Sequence, residues 1–238
     1  MSAQNLMIDA VDPEGKWLYR VSGFAAIVFS LAYFFIMALY VPMGNKPSGA
    51  EVWPPSTAGN AATWWAILGL SVLTDFLLVP VALALYLALK GIDRNAMLVA
   101  TAFIGLFVVL DLALTWINIG SLIALGGSYA AAANEAQRAV LVTAAIYPAT
   151  VADSILIFIY NTLTLSVGIL MTGLVMLKGI FGKIAAYVGL ATGFLGTVSV
   201  VSSFFADSLS SVTIILASVL TTVWVLLVGY RLYRLGGQ

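Results

Sequence analysis

The sequence predicts an all-α protein, a polytopic membrane bundle of six transmembrane helices with both termini cytoplasmic. Composition, run length and the placement of basic residues each lead there. Of 238 residues, 62% are hydrophobic and 8% charged, with a mean hydropathy of +1.08. A water-soluble domain is about one-quarter charged, so this chain cannot clothe a soluble surface. Its main solvent is lipid. Six segments reach the roughly 20 apolar residues that cross a bilayer. They are continuous and rich in Leu, Ala and Val, unlike the short alternating strands of a membrane barrel.

A polar lead, residues 1–20 with Asp9, Asp12 and Glu14, precedes the first span at 21–41. A signal peptide has a basic start, a short apolar core and a small-residue cleavage site. Here the apolar run has membrane length, so it is expected to stay attached as a helix. Residues 43–62 follow, holding Pro47, Trp53, Pro54 and Pro55, and then Trp64 and Trp65. That pattern predicts a rigid loop anchored in the headgroup belt. The second span, 63–89, turns through Lys90-Gly91-Ile92-Asp93-Arg94 into the third, 96–125.

Residues 126–148 are expected to form an outer loop with a short surface helix around Asn134–Arg138. The fourth span, 151–177, turns through residues 178–183 into the fifth, 184–206, and the sixth is 209–230. Spans three and four are long for one crossing and should tilt or project past the hydrocarbon. The short turns make spans two and three, and four and five, antiparallel neighbours. No linker divides the chain, so residues 1–238 read as a single transmembrane domain.

Orientation follows from the flanking charges. Lys16, Arg20, Lys90, Arg94, Lys178, Lys183, Arg231 and Arg234 fall on one side, against Lys46 and Arg138 on the other. Eight against two places both termini in the cytoplasm of a cell membrane. An even number of spans requires the termini to share a side as well.

Two absences narrow the chemistry. Without cysteine there are no disulfides, thiol nucleophiles or cysteine-held clusters. Without histidine there is no Ser-His-Asp triad, imidazole metal site or His-ligated haem. Ten basic and ten acidic residues cancel, so nothing suggests nucleic acid as a partner. No Walker-type loop is present, and every lysine sits at a span end or in a loop, which leaves no retinal attachment point. The sequence implies no cofactor and no metal.

Ionisable residues inside a membrane helix cost several kcal/mol and normally face the bundle interior. Asp75 in the second span and Asp111 in the third lie at similar distances from the turn that joins them, so they fall at similar depth. Asp111, Thr115 and Asn118 follow the i, i+4, i+7 rule for one helix face, and Ser71 lies one turn from Asp75. Asp153, Tyr160, Asn161 and Thr164 form a similar set in the fourth span. Together they suggest a polar cleft open to the outside.

A carboxyl group held from water without a cation favours its neutral form, and two that meet share a proton. Asp75 and Asp111 then either cross-link two helices by hydrogen bonding, or form a proton- or cation-linked site, or bind a small ligand. Intramembrane aspartyl proteases also pair two aspartates, but their Gly-x-Gly-Asp signature is absent, since Asp111 follows Phe107-Val108-Val109-Leu110. Gly189, Gly193, Gly196 and Ser203 line one face of the fifth span, allowing close approach by another helix of this chain or of another subunit. Pro80, near Asp75, removes one helical hydrogen bond.

The six spans, the polar lead and the segment Phe181-Gly182-Lys183-Ile184-Ala185-Ala186-Tyr187-Val188-Gly189 carry a resemblance. From residue 20 to 235 the chain resembles a family of roughly 230-residue prokaryotic membrane proteins known only as a domain of unknown function. The shared features are small and aromatic residues in apolar helices. The resemblance implies a bacterial or archaeal cell membrane and carries over no activity, substrate or site residue.

The leading functional expectation is a non-catalytic accessory or packing subunit of a larger membrane assembly, partnered by other membrane subunits or by copies of itself. Few reactive groups, little extramembrane mass and the glycine face motivate it. The rival is a carrier or binder of a small cation or solute using Asp75, Asp111, Asn118 and Asn161. An intramembrane enzyme comes third.

Overall fold

A computed structural model describes residues 15–43 and 46–237. The acidic lead with Asp9, Asp12 and Glu14 lies outside the described residues. Those described are helical, with no strand among them. Nine α-helices follow in order: α1 Lys16–Tyr40, α2 Trp53–Ala58, α3 Ala61–Leu89, α4 Arg94–Leu110, α5 Ile117–Ala130, α6 Glu135–Ala152, α7 Ile155–Met176, α8 Lys183–Ser202 and α9 Asp207–Leu235. A π-helical turn, Asp111–Trp116, joins α4 to α5 without a break. Six helices, some joined end to end, are long and apolar enough to cross a membrane, and the protein is of the multi-pass membrane type.

Local chemistry sets the ends of these elements. Asp93 accepts from the backbone N–H of Ala96 at 3.0 Å, which caps the start of α4. Gly182, at φ 86°, supplies the left-handed turn ahead of α8 that a side chain would resist. Pro54 and Pro55 occupy the first turn of α2, where the missing N–H costs nothing. Pro80 lies inside α3, which continues through it.

The region between spans three and four departs from the expected loop. The α4–π–α5 rod is 37 residues long, about 55 Å at helical rise against about 30 Å of hydrocarbon. A short turn at 131–134 follows, and then α6 occupies what was read as loop and surface helix. Asn134 caps α6 by accepting from Gln137 N at 2.9 Å, and the alanine-rich run behind it has high helix propensity. The fourth span is therefore two helices, α6 and α7, separated at Asp153 and Ser154.

The chain forms two compact units. One comprises Met1–Leu31, Phe76–Val108 and Asn161–Gln238, and the other Ala32–Asp75 and Val109–Tyr160. In the first, small residues set the packing. A methyl on Gly23 would strike the backbone of Tyr233, one on Gly229 would lie 2.6 Å from Ala26 Cβ, and one on Gly236 2.7 Å from Arg20 N. The first and last described helices therefore meet backbone to backbone, and Ser30 Oγ donates across to Thr222 O at 3.2 Å.

Hydroxyls in this unit return to backbone carbonyls, as lipid requires. Ser22 bonds Pro80 O at 2.8 Å, while Ser199 Oγ donates to Ser210 O at 3.0 Å and Ser210 Oγ to Ser199 O at 2.9 Å. Arg231 donates to Ile180 O at 2.9 Å and holds the turn between α7 and α8.

The second unit has an aromatic core. Trp53 and Trp64 are almost fully buried, with ring centroids 5.4 Å apart, and Tyr40 meets Trp64 edge-on at 5.9 Å. The headgroup anchoring expected of these tryptophans holds for Trp65 at most, since it alone of the three is exposed. Trp53 and Trp64 instead pack with Ile36, Ile67, Ile119, Leu122 and Ile123, because their large apolar faces fill the space between α1, α3 and α5.

Candidate functional site

The second unit holds the carboxyl pair. Asp75 ends its stretch of α3 and Asp111 opens the π turn, with 4% and 7% of their surfaces exposed. The indole Nε1–H of Trp116 donates to Asp75 Oδ2 at 2.9 Å and to Asp111 Oδ2 at 3.1 Å. One N–H thus bridges two carboxyl groups carried on different helices. Thr115 hydrogen-bonds Asp111 through its hydroxyl.

The π turn makes this bridge possible. In an α-helix the residue beneath position i is i+4, whereas a π turn places i+5 there. Trp116 is i+5 from Asp111, and regular α periodicity would swing it off the Asp111 face. The sequence reading chose Asp111, Thr115 and Asn118 on α spacing and passed over Trp116. The available clue was chemical: the Trp116 indole is a side-chain N–H donor five residues from Asp111.

Other sequence candidates have separate engagements. Asn118 donates to Leu114 O of its own helix at 2.6 Å. Ser71 gives its backbone carbonyl to Thr74 Oγ1 at 2.7 Å. Asp153 lies in the break between α6 and α7, so it shares no continuous helical face with Tyr160, Asn161 and Thr164. Tyr160 is partly exposed in the second unit. Asn161 and Thr164 belong to the first unit, where Thr164 Oγ1 donates to Asn161 O at 3.2 Å.

Asp153 is instead the centre of an ion pair. Lys46 Nζ sits 3.5 Å from Asp153 Oδ1 and donates to Ala152 O at 2.8 Å. Asp153 Oδ2 accepts from Gly49 N at 2.8 Å and from Ser48 Oγ at 3.2 Å. The pair ties the segment ahead of α2 to the α6–α7 break across more than a hundred residues, with no sequence signal to announce it. A cleft of about 370 Å³ lies beside Lys46, between Met43, Ser56, Asn60 and Trp64.

The glycine face of α8 is filled from within the chain. A methyl on Gly189 would meet Trp224 at 2.6 Å and one on Gly193 would meet Leu170 Cβ at 2.6 Å, while Gly196 abuts the Ser166 hydroxyl. Ser203 caps the end of α8 and donates to Val200 O at 2.7 Å. Among the described residues, no three His, Cys, Asp or Glu side chains cluster to hold a metal.

Charge accounting isolates the carboxyl pair further. The second unit has two basic side chains, Lys46 and Arg138. Lys46 faces Asp153, and Arg138 bonds Glu135 at 2.6 Å. Along the elements that carry the pair, no basic residue occurs between Lys46 and Lys90 or between Arg94 and Arg138. The basic side chains of this unit are thus engaged away from the carboxyl pair.

Compared with protein-family models, curated proteins and solved structures, the chain matches none.

Proposed function

We propose that the protein is a multi-pass component of a prokaryotic cell membrane, with both termini cytoplasmic, that binds a small cation through Asp75 and Asp111 and carries it or couples it to a solute. One observation supports this above the rest. Trp116 gives a single N–H to both buried carboxyls while each basic residue of that unit faces a different acid. An ionisable pair of this kind inside membrane-length helices is costly to keep, and such groups mark ion pathways. Its π turn is of the kind that recurs at functional sites.

The test is uptake into proteoliposomes under an imposed pH gradient. Asp75→Asn and Asp111→Asn, which preserve shape, should each lower pH-dependent uptake at least tenfold. Unchanged uptake in both variants would remove the reading.

The second reading is an accessory subunit. Its glycine argument is weakened, because Leu170, Ser166 and Trp224 already occupy that face. The exposed Val140, Ile146 and Tyr147 on α6 favour it instead. Native purification in mild detergent, followed by intact-complex mass spectrometry, would show stoichiometric partner chains if it holds.

A further inference from the structure

We infer that the exchangeable ligand of the Asp75–Asp111 pair is a proton rather than a metal cation, and that Trp116 stabilises the proton-poor form. The inference rests on the pair being a functional cation site and narrows what that site takes.

The donor set carries the argument. Both Oδ2 atoms lie within hydrogen-bond distance of one nitrogen, so they are no more than about 6 Å apart. One oxygen of each carboxyl therefore already accepts from the positive end of the same indole N–H. A bridging metal ion would sit against that hydrogen, and an indole N–H is a donor only.

Hard cations also require many oxygens, six to eight for calcium and near-octahedral geometry for magnesium. Here two carboxyls stand without a third among the described residues. Thr74 and Asn118 turn their donor atoms to the carbonyls of Ser71 and Leu114, and neither shows a hydrogen bond to the carboxyl pair. A proton needs only one oxygen and the space of a hydrogen bond.

The surrounding charges agree. Asp75 faces the charge of Asp111 from the π turn, and Thr115 and Trp116 are the hydrogen-bonding side chains on Asp111. Asp153 and Glu135, on the other elements of the unit, are held by Lys46 and Arg138, and Glu51 is exposed. In the loading step one O–H bond of a hydronium ion from bulk solvent breaks and one O–H bond forms on a carboxyl. The pair's charge rises by one, and release is the reverse. No electron moves and no other bond changes.

Infrared difference spectroscopy on the full chain in lipid nanodiscs tests this through the C=O stretch of the protonated carboxyl. Ionic strength is held constant with choline chloride, and sodium, potassium, magnesium or calcium then replaces choline. The band should grow on acidification, shift in Asp75→Asn and in Asp111→Asn, be lost in the double variant, and keep its midpoint within twofold in proton concentration whichever metal is present. Trp116→Phe should raise proton affinity about tenfold, since a hydrogen bond to the charged form is lost.

A midpoint displaced tenfold or more by any of the metals would overturn the inference and leave the cation site standing. A wild-type band that never titrates would overturn both. An unmoved midpoint in Trp116→Phe would overturn the role given to the indole. The metal comparison uses wild-type protein, so it does not depend on any variant folding.

Discussion

The two compact units both return hydroxyls to backbone carbonyls and differ in what joins their distant segments. In the unit holding α8 and α9, hydroxyls turn back to carbonyls, as in the reciprocal Ser199–Ser210 bonds, and glycines bring helix backbones together. The unit holding α5 and α6 instead joins distant segments through charge: Lys46 with Asp153, and two aspartates through Trp116. The first arrangement satisfies polar atoms locally and leaves van der Waals contact to hold the helices. The second adds an ion pair and a shared indole N–H between residues far apart in the chain.

The contrast can be broken most forcefully at the α1–α9 contact. Gly23→Leu places a side chain against the Tyr233 backbone, which has no rotamer to move away. Loss of about 3 kcal/mol or more is expected from such overpacking. Thermal unfolding followed by size-exclusion chromatography should show aggregation or a collapsed yield. If Gly23→Leu were as stable as wild type, the small-residue account of this unit would fail.

A smaller effect is expected in the other unit from Lys46→Met. The ion pair is partly solvated, with 42% and 22% of the two side chains exposed, so its loss should cost about 1 kcal/mol. The change should be local. Hydrogen exchange at the Gly49 amide, which bonds Asp153, should accelerate while α8 and α9 remain protected. Uniform acceleration across both units would erase the distinction.

The smallest effect is expected at Gly69 of α3, where an added methyl meets nothing within 4 Å. Gly69→Ala should be neutral or stabilising by up to about 1 kcal/mol, from helix propensity alone. A loss of stability in a denaturant titration would show that glycines here serve more than close packing.

Much of the fold is legible in the sequence because lipid allows few solutions. Backbone polar groups must be satisfied within each span, so an apolar run of membrane length forms a helix. The six spans were read on that ground. The stretch 126–148 was expected to be a loop with a short helix around Asn134–Arg138, while its alanines and the Asn134 cap extend that helix to Ala152. Trp53 and Trp64 were placed at a headgroup belt on residue type, but type does not say which ring faces inward.

The candidate site divides along the same line. Asp75 and Asp111 stood out as isolated charges in apolar runs, and their similar distances from the turn suggested that they could meet. Trp116 stayed hidden because α-helical counting places it on another face, and a π turn has no reliable sequence mark. The Lys46–Asp153 pair stayed hidden because its partners are remote along the chain.

By itself, the sequence determined the solvent, the all-helical architecture, the span count and the scarcity of reactive groups. These follow from composition and from the fixed thickness of hydrocarbon. Tertiary structure alone decided which glycines were filled from within, which acid met a lysine, and that one indole would serve two aspartates. Those outcomes depend on helix rotation and local register, where the insertion of one residue per turn redirects every side chain beyond it.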